Sequence, residues 1–195
     1  MGDPRAIEPL TTLLQDRDRW ARHETVRVLE KLGGKAVLEP LLACLQDEEG
    51  SIRALAAETL GEIGDLRAVE PLIICLLDEI DAVRLKAALA LGRLGNERAV
   101  EPVIVALQNS DASIRWGIAA ALGQLGGPHA VEALLTVLRN DAWWVRFSVI
   151  EALGRLGATR AVEPLRACLH DEDIRVRIAA EQALKQLEQV ELPER

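Results

Sequence analysis

The sequence predicts an all-α fold, an α-solenoid of six two-helix repeats with about twelve helices, and three observations carry that prediction. The segments AIEPL, VLEPL, AVEPL, AVEPV, AVEAL and AVEPL begin at residues 6, 37, 68, 99, 130 and 161, a spacing of 31 residues each time. Self-similarity at a fixed period of roughly 20–50 residues is the signature of a repeat array. Within each repeat, apolar residues recur at the 3.6-residue spacing of an amphipathic helix. Gly33, Gly64, Gly95, Gly126 and Gly157 then close five of the repeats, where a helix C-cap favours a left-handed residue.

The first helix of a repeat is typified by DLRAVEPLIICLLD at 65–78, in which Ala68, Val69, Leu72, Cys75 and Leu76 mark one stripe. Pro71 fits near its start, where a missing N–H is tolerated, and would bend a helix that began as early as Leu66. The second helix, DAVRLKAALALGRLG at 81–95, turns Val83, Ala87, Ala90, Leu91 and Leu94 inward. Such a pair cannot bury its stripe alone, so neighbouring repeats must stack. The repeats run approximately 3–33, 34–64, 65–95, 96–126, 127–157 and 158–188, one domain over 1–195 with a tail at 189–195. Thr11 and Thr12 stand where later repeats have Leu42, Ile73, Ile104 or Ile74, and Glu181 and Lys185 replace apolar or glycine positions of the inner repeats, as expected of terminal caps in a nearly complete array.

The pattern D-x-R-A-V-E-P-L, L-x-D, V-R-x-x-A-x-x-A-L-G-x-L-G, best seen in 65–95 and 96–126, resembles the HEAT-like repeats of the phycobilisome-lyase type. It is also similar to engineered α-helical repeat binders built on that motif. The resemblance covers nearly the whole chain and implies a concave surface lined by the second helices, whose outward positions vary to suit a ligand. It implies little about activity, because such repeats serve many roles.

Aligned on one another, the repeats separate structural positions from variable ones. Glu8, Glu39, Glu70, Glu101, Glu132 and Glu163 form one column, and Arg22, Arg53, Arg84, Arg115, Arg146 and Arg177 another. No reaction needs a group six times. The arginines are expected to form a ladder of charge-assisted hydrogen bonds to Asp16, Asp47, Asp78, Asn109, Asn140 and Asp171, in their own or the next repeat. Cys44, Cys75 and Cys168 share a column with Leu13, Ala106 and Val137, so they are expected as reduced core thiols. Stacked helices lie about 8–10 Å apart, too far for a disulfide.

The chemistry-bearing residues assemble no recognised site. His23, His129 and His170 fall in different columns and read as solvated surface groups. HDEDIR at 170–175 lacks the glycine and distal glutamate of an EF-hand loop, and LGGK at 32–35 and LGGP at 125–128 are repeat junctions rather than phosphate loops. No catalytic, metal or cofactor residues are therefore expected. The net charge of −8 argues against nucleic acid and anionic membrane as partners. Without a membrane span or a signal-like start, the expected location is the cytoplasm.

Function is expected on the variable face of the second helices, at columns 20, 23, 27 and 31 together with 24. All four tryptophans and the single phenylalanine fall at or beside it: Trp20, Trp116, Trp143, Trp144 and Phe147. Trp116, Trp143, Trp144 and Phe147, with Leu85, Leu89 and Ile178, are expected to form one apolar patch across repeats three to six. Trp20, His23 and Arg27 would add a more polar contact. The expected role is a non-catalytic scaffold that holds a protein or peptide in a concave groove. The alternatives are a bilin lyase subunit or chromophore chaperone, a homodimer closed through the patch, and an engineered binder.

Overall fold

The structure, a computed structural model, describes residues 6–139 and 142–190. Asn140 of the arginine ladder and the end of the tail lie outside them. Among the described residues the chain is all-α, with the first helices of successive repeats at α1 (Ile7–Leu13), α3 (Leu38–Cys44), α5 (Val69–Cys75), α7 (Val100–Asn109), α9 (Pro128–Val137) and α11 (Val162–Cys168). The second helices are α2 (Arg19–Leu32), α4 (Gly50–Ile63), α6 (Asp81–Leu94), α8 (Ala112–Leu125), α10 (Trp143–Arg155) and α12 (Ile174–Val190). These are the stacked two-helix repeats of an α-solenoid. The chain divides into two compact units, Met1–Asn96 and Glu97–Arg195, each of three repeats.

Proline sets how a first helix begins. In four repeats a 3-10 turn comes first, at Lys35–Val37, Leu66–Ala68, Glu97–Ala99 and Thr159–Ala161. The α-helix proper then starts so that Pro40, Pro71, Pro102 or Pro164 is its third residue. There the absent N–H is one that an α-helix leaves unpaired anyway. The fifth repeat has Ala133 in that position, and α9 runs unbroken from Pro128.

The stripes close the core as the periodicity requires. Ala68, Val69, Leu72, Cys75 and Leu76 are buried, and so are Val83, Ala87, Ala90 and Leu91, while Leu94, also expected inward, is half-buried at the end of its helix. The burial extends one column further than expected, to Val26, Ala57, Ala88, Ala119 and Ile150. Val28 is exposed, although its column mates Thr59, Ala90, Ala121, Ala152 and Ala183 are buried. The inner second helices approach each other on glycine. A Cβ on Gly61 would stand 2.7 Å from both Cα and Cβ of Ala90, and one on Gly123 would stand 2.6 Å from Cβ of Ala152. Glycine in mid-helix costs up to about 1 kcal/mol in propensity, and the close helix packing offsets it.

The closing glycines take two conformations. Gly64 and Gly95 are left-handed, with φ 74° and 62°. At the double-glycine junction Gly33 pairs φ 61° with ψ −173° and Gly34 pairs φ 79° with ψ 176°, a region open essentially to glycine alone.

Arg22, Arg53 and Arg146 of the arginine column join repeats, whereas Arg84 turns its side chain to Asp81 of its own helix. Arg22 donates Nε and Nη2 to the two carboxylate oxygens of Asp47 in the next repeat, at 2.8 and 2.9 Å. Arg53 does the same to Asp78 at 2.7 and 2.8 Å, and Arg146 Nη2 donates to Asp171 at 2.6 Å. The remaining guanidinium nitrogen closes the arginine's own turn: Nη1 of Arg53 donates to the carbonyls of Asp47 and Glu48. Each acceptor aspartate also receives a backbone N–H two residues on, from Glu49, Ile80 or Asp173. A second ladder uses the glutamate column, where Glu39 meets Arg67, Glu101 meets His129 and Glu132 meets Arg160.

Candidate binding surface

The cysteines lie on the first helices, away from the second-helix face. Cys44 and Cys75 are buried free thiols and Cys168 is half-buried. Burial pushes Cys44 up to about 12 and Cys75 up to about 11. Among the described residues no group of three or more His, Cys, Asp or Glu could hold a metal ion. No described helix is long and apolar enough to cross a membrane.

In the second unit α8, α10 and α12 pack in sequence, and each turns one face outward. Trp116, Phe147 and Ile178 occupy one column of that face, with Trp144 one turn towards the N-terminus of α10. Trp116 and Trp144 are each 41% exposed and Ile178 48%, while Phe147 and Trp143 are half-buried. Column 24, expected on the open face, is buried in this unit: Gly117, Ser148 and Ala179 let the helices approach, and Ser148 Oγ donates to the Trp116 carbonyl at 2.7 Å.

The tryptophans are held by polar contacts at their edges. Trp144 Nε1 donates to the carbonyl of Ala112 on the preceding second helix at 3.0 Å, and Trp116 Nε1 donates to the adjacent Ser113 carbonyl at 2.9 Å. Two indoles from neighbouring repeats therefore end on the first turn of α8. Trp143 and Trp144 meet edge to face, with centroids 5.6 Å apart and planes at 88°. Among the described residues this is the one ring-to-ring contact, so Trp116 and Phe147 are neighbours along a face rather than members of a stacked aromatic cluster.

Trp143 has a further partner that the sequence comparison did not single out. The Arg175 guanidinium of the next repeat lies 3.2 Å from its ring centroid. Arg175 is itself gripped by both oxygens of Asp173, at 2.9 and 2.7 Å. That pairing holds the Asp173 carboxyl at about 2 and raises Arg175. A cation in van der Waals contact with an indole face is attracted by the ring quadrupole. One face of Trp143 is thus covered from within the chain, and Trp144 is the outer ring of the pair.

The remaining expected residues lie in the first unit. Trp20 is exposed, and its backbone N–H is capped by Asp18 at 2.9 Å. His23 lies 3.6 Å from the Glu24 carboxylate, and Arg27 is exposed. Leu85 and Leu89 are half-buried, flanking Lys86, which donates to Glu58 at 2.6 Å.

The family profile for HEAT repeats matches residues 1–60, 38–111, 72–144 and 100–185. The chain belongs to the HEAT repeat family. Among solved structures, these HEAT repeats are similar to the complex of CpcE and CpcF of phycocyanin lyase from Nostoc sp. PCC7120, at 24% identity over 96% of this chain and 77% of that chain, with a TM-score of 0.70. They are similar to an engineered protein at 21% identity over 97% and 99% of the two chains, TM-score 0.68. They also resemble a designed armadillo repeat protein in complex with the peptide (KR)4, at 15% identity over 93% and 99%, TM-score 0.65. No curated protein matches the chain. Identities this low speak to the fold of the HEAT array and leave its ligand to the surface itself.

Proposed function

We infer that the chain is a cytoplasmic scaffold that binds a peptide or an extended protein segment across the second helices of its second unit. The observation that carries this reading is the state of Trp116 and Trp144: both indoles are substantially exposed, yet both N–H groups already have backbone partners. What they offer a partner is apolar ring held in one orientation. Binding to such a surface loses little side-chain freedom, which favours affinity. Packed helices lie about 8–10 Å apart and an extended strand rises about 3.3 Å per residue. Apolar anchors about three residues apart in a partner would therefore meet Trp116, Phe147 and Ile178 in turn. The complex of the designed armadillo repeat protein with the peptide (KR)4 supports a peptide ligand on a related architecture.

The test is binding to an array of immobilised random peptides by wild type and by a Trp116→Ala/Ile178→Ala variant, with circular dichroism confirming equal helicity. Loss of the captured peptides in the variant is expected; unchanged capture removes the reading. Trp20, His23 and Arg27 would supply a separate, more polar contact, reported by Trp20→Ala.

A second reading, a bilin lyase subunit or chromophore chaperone, draws support from the Nostoc phycocyanin lyase complex. The same ring faces would lie against a tetrapyrrole. An absorbance shift on mixing with free bilin, lost in the Trp116→Ala/Ile178→Ala variant, would favour it over peptide binding. Sedimentation at several concentrations separates both from a homodimer closed through this face.

A further inference from the structure

The inter-helix turn of the third repeat carries apolar residues where its siblings are mostly polar. Position 77 is leucine, against Gln15, Gln46, Gln108, Arg139 and His170 in the same column. Position 80 is isoleucine, against Asp18, Glu49, Asp111, Ala142 and Asp173. Leu77 is 82% exposed and Ile74, on the preceding turn, 62%. Folding makes little use of these side chains. Ile80 has no side-chain acceptor to cap α6 in the way Asp18 caps α2 through the Trp20 N–H, and α4 and α8 likewise start without a side-chain cap. Ile80 Cγ1 lies against Gly50, 2.9 Å from where a Cβ would stand.

Leu45, Ile74 and Leu77 line an open groove of about 590 Å³ between the turns of the second and third repeats. Its charged residues are unevenly satisfied. Arg53 is committed to Asp78 and to the carbonyls of Asp47 and Glu48, and Asp47 is held by Arg22. Glu79 is exposed at the rim, and Glu48, also on the rim, meets Arg22 through one contact at 3.1 Å while its side chain stays 84% exposed. The groove therefore sets the exposed side chains of Ile74 and Leu77 beside two exposed carboxylates, Glu48 and Glu79.

We propose that this groove is a second docking site, for a short segment in which a leucine-sized side chain is flanked by lysine or arginine. The apolar side chain covers Ile74 and Leu77, and the flanking cations meet Glu48 and Glu79. An acidic segment is repelled by the same rim. None of these residues belongs to the second-helix face, so the site stands independently of the peptide reading above.

The probe is a fluorescein-labelled peptide with one central leucine, three lysines on each side and glycine and serine elsewhere. It is read by anisotropy against versions with glutamate for lysine or serine for leucine. The protein variants restore residues found in sibling repeats, Leu77→Gln and Ile74→Thr, which the fold already accommodates at those columns. Wild type is expected to bind the lysine peptide. Leu77→Gln should weaken it about tenfold or more, with Glu48→Gln/Glu79→Gln reducing both the affinity and its salt dependence. Trp116→Ala should leave it unchanged. The proposal is overturned by absence of binding, by equal binding of the glutamate or serine peptide, or by full affinity in both Leu77→Gln and Ile74→Thr. It is also overturned if sedimentation shows a dimer that Leu77→Gln abolishes, since a second copy would then be the occupant.

Discussion

The guanidinium of Arg22 and the carboxylate of Asp47, in successive repeats, form a two-point pair with both side chains at least nine-tenths buried. Removing one partner leaves the other charge in a poorly hydrated place. Arg22→Ala is expected to lower stability by about 2–3 kcal/mol. Arg22→Lys should recover only part of it, because an ammonium cannot make the fork. Urea unfolding followed by circular dichroism checks both, and a loss within about 0.5 kcal/mol of zero would show that the ladder is dispensable.

Acid should weaken the protein through the same groups. Burial pushes the Asp47 carboxyl upward, but the Arg22 hydrogen bond, the Glu49 N–H and the nearby guanidiniums outweigh it and leave the group below its ordinary 3.8. The Arg53 hydrogen bond leads in lowering Asp78, and Asp65, bonded by Arg67, sits at about 2. A carboxylate depressed on folding stabilises above its unfolded pKa, and that stability is lost as pH falls through the folded one. The melting temperature should be level from pH 7 to about 4.5 and fall between about 4 and 2. Asp47→Asn/Asp78→Asn should start lower and fall less steeply.

Gly61→Ala tests the close approach of α4 and α6. The new methyl would meet backbone Cα as well as Cβ of Ala90, so a rotamer change cannot relieve it. Overpacking should exceed the helix-propensity gain and leave a net loss of about 1–2 kcal/mol. Glu30→Ala, in the same column but exposed, should be near neutral. Thermal melts of the two variants make the comparison, and a stabilised Gly61→Ala would contradict the packing.

Trp143 should become more accessible when Arg175 is removed. In a Trp20→Phe/Trp116→Phe/Trp144→Phe background, which leaves Trp143 as the single indole, Arg175→Ala is expected to raise acrylamide quenching of its emission. Asp173→Asn should give a smaller rise, because it loosens the arginine without deleting it. Unchanged quenching in both would mean that the guanidinium does not shield the ring in solution.

The 31-residue period, the two helices per repeat and the core stripes were legible in the sequence because each follows from local spacing. Apolar residues at 3.6 intervals have one way to be buried, and a column of six identical arginines has a structural role wherever its partner stands. The direction of the ladder was less legible. Pairing of Arg22 with Asp47 rather than its own Asp16 depends on how far one repeat advances on the next. Glycine at 61 and 123 likewise meant little until Ala90 and Ala152 were seen against them.

At the surface, the sequence by itself determined which residues depart from the repeat: Trp116, Trp143, Trp144 and Phe147 on the second helices, and Leu77 and Ile80 at a turn. Tertiary structure alone decided what each departure does. Whether a ring faces solvent or its neighbour depends on the side chains that adjacent repeats bring beside it, and these lie about 31 residues away in sequence. Arg175 covers Trp143, and the Ala112 carbonyl ties down Trp144 while leaving it 41% exposed. Two adjacent tryptophans that look equivalent in the chain are thus separated into an internal contact and an outward surface.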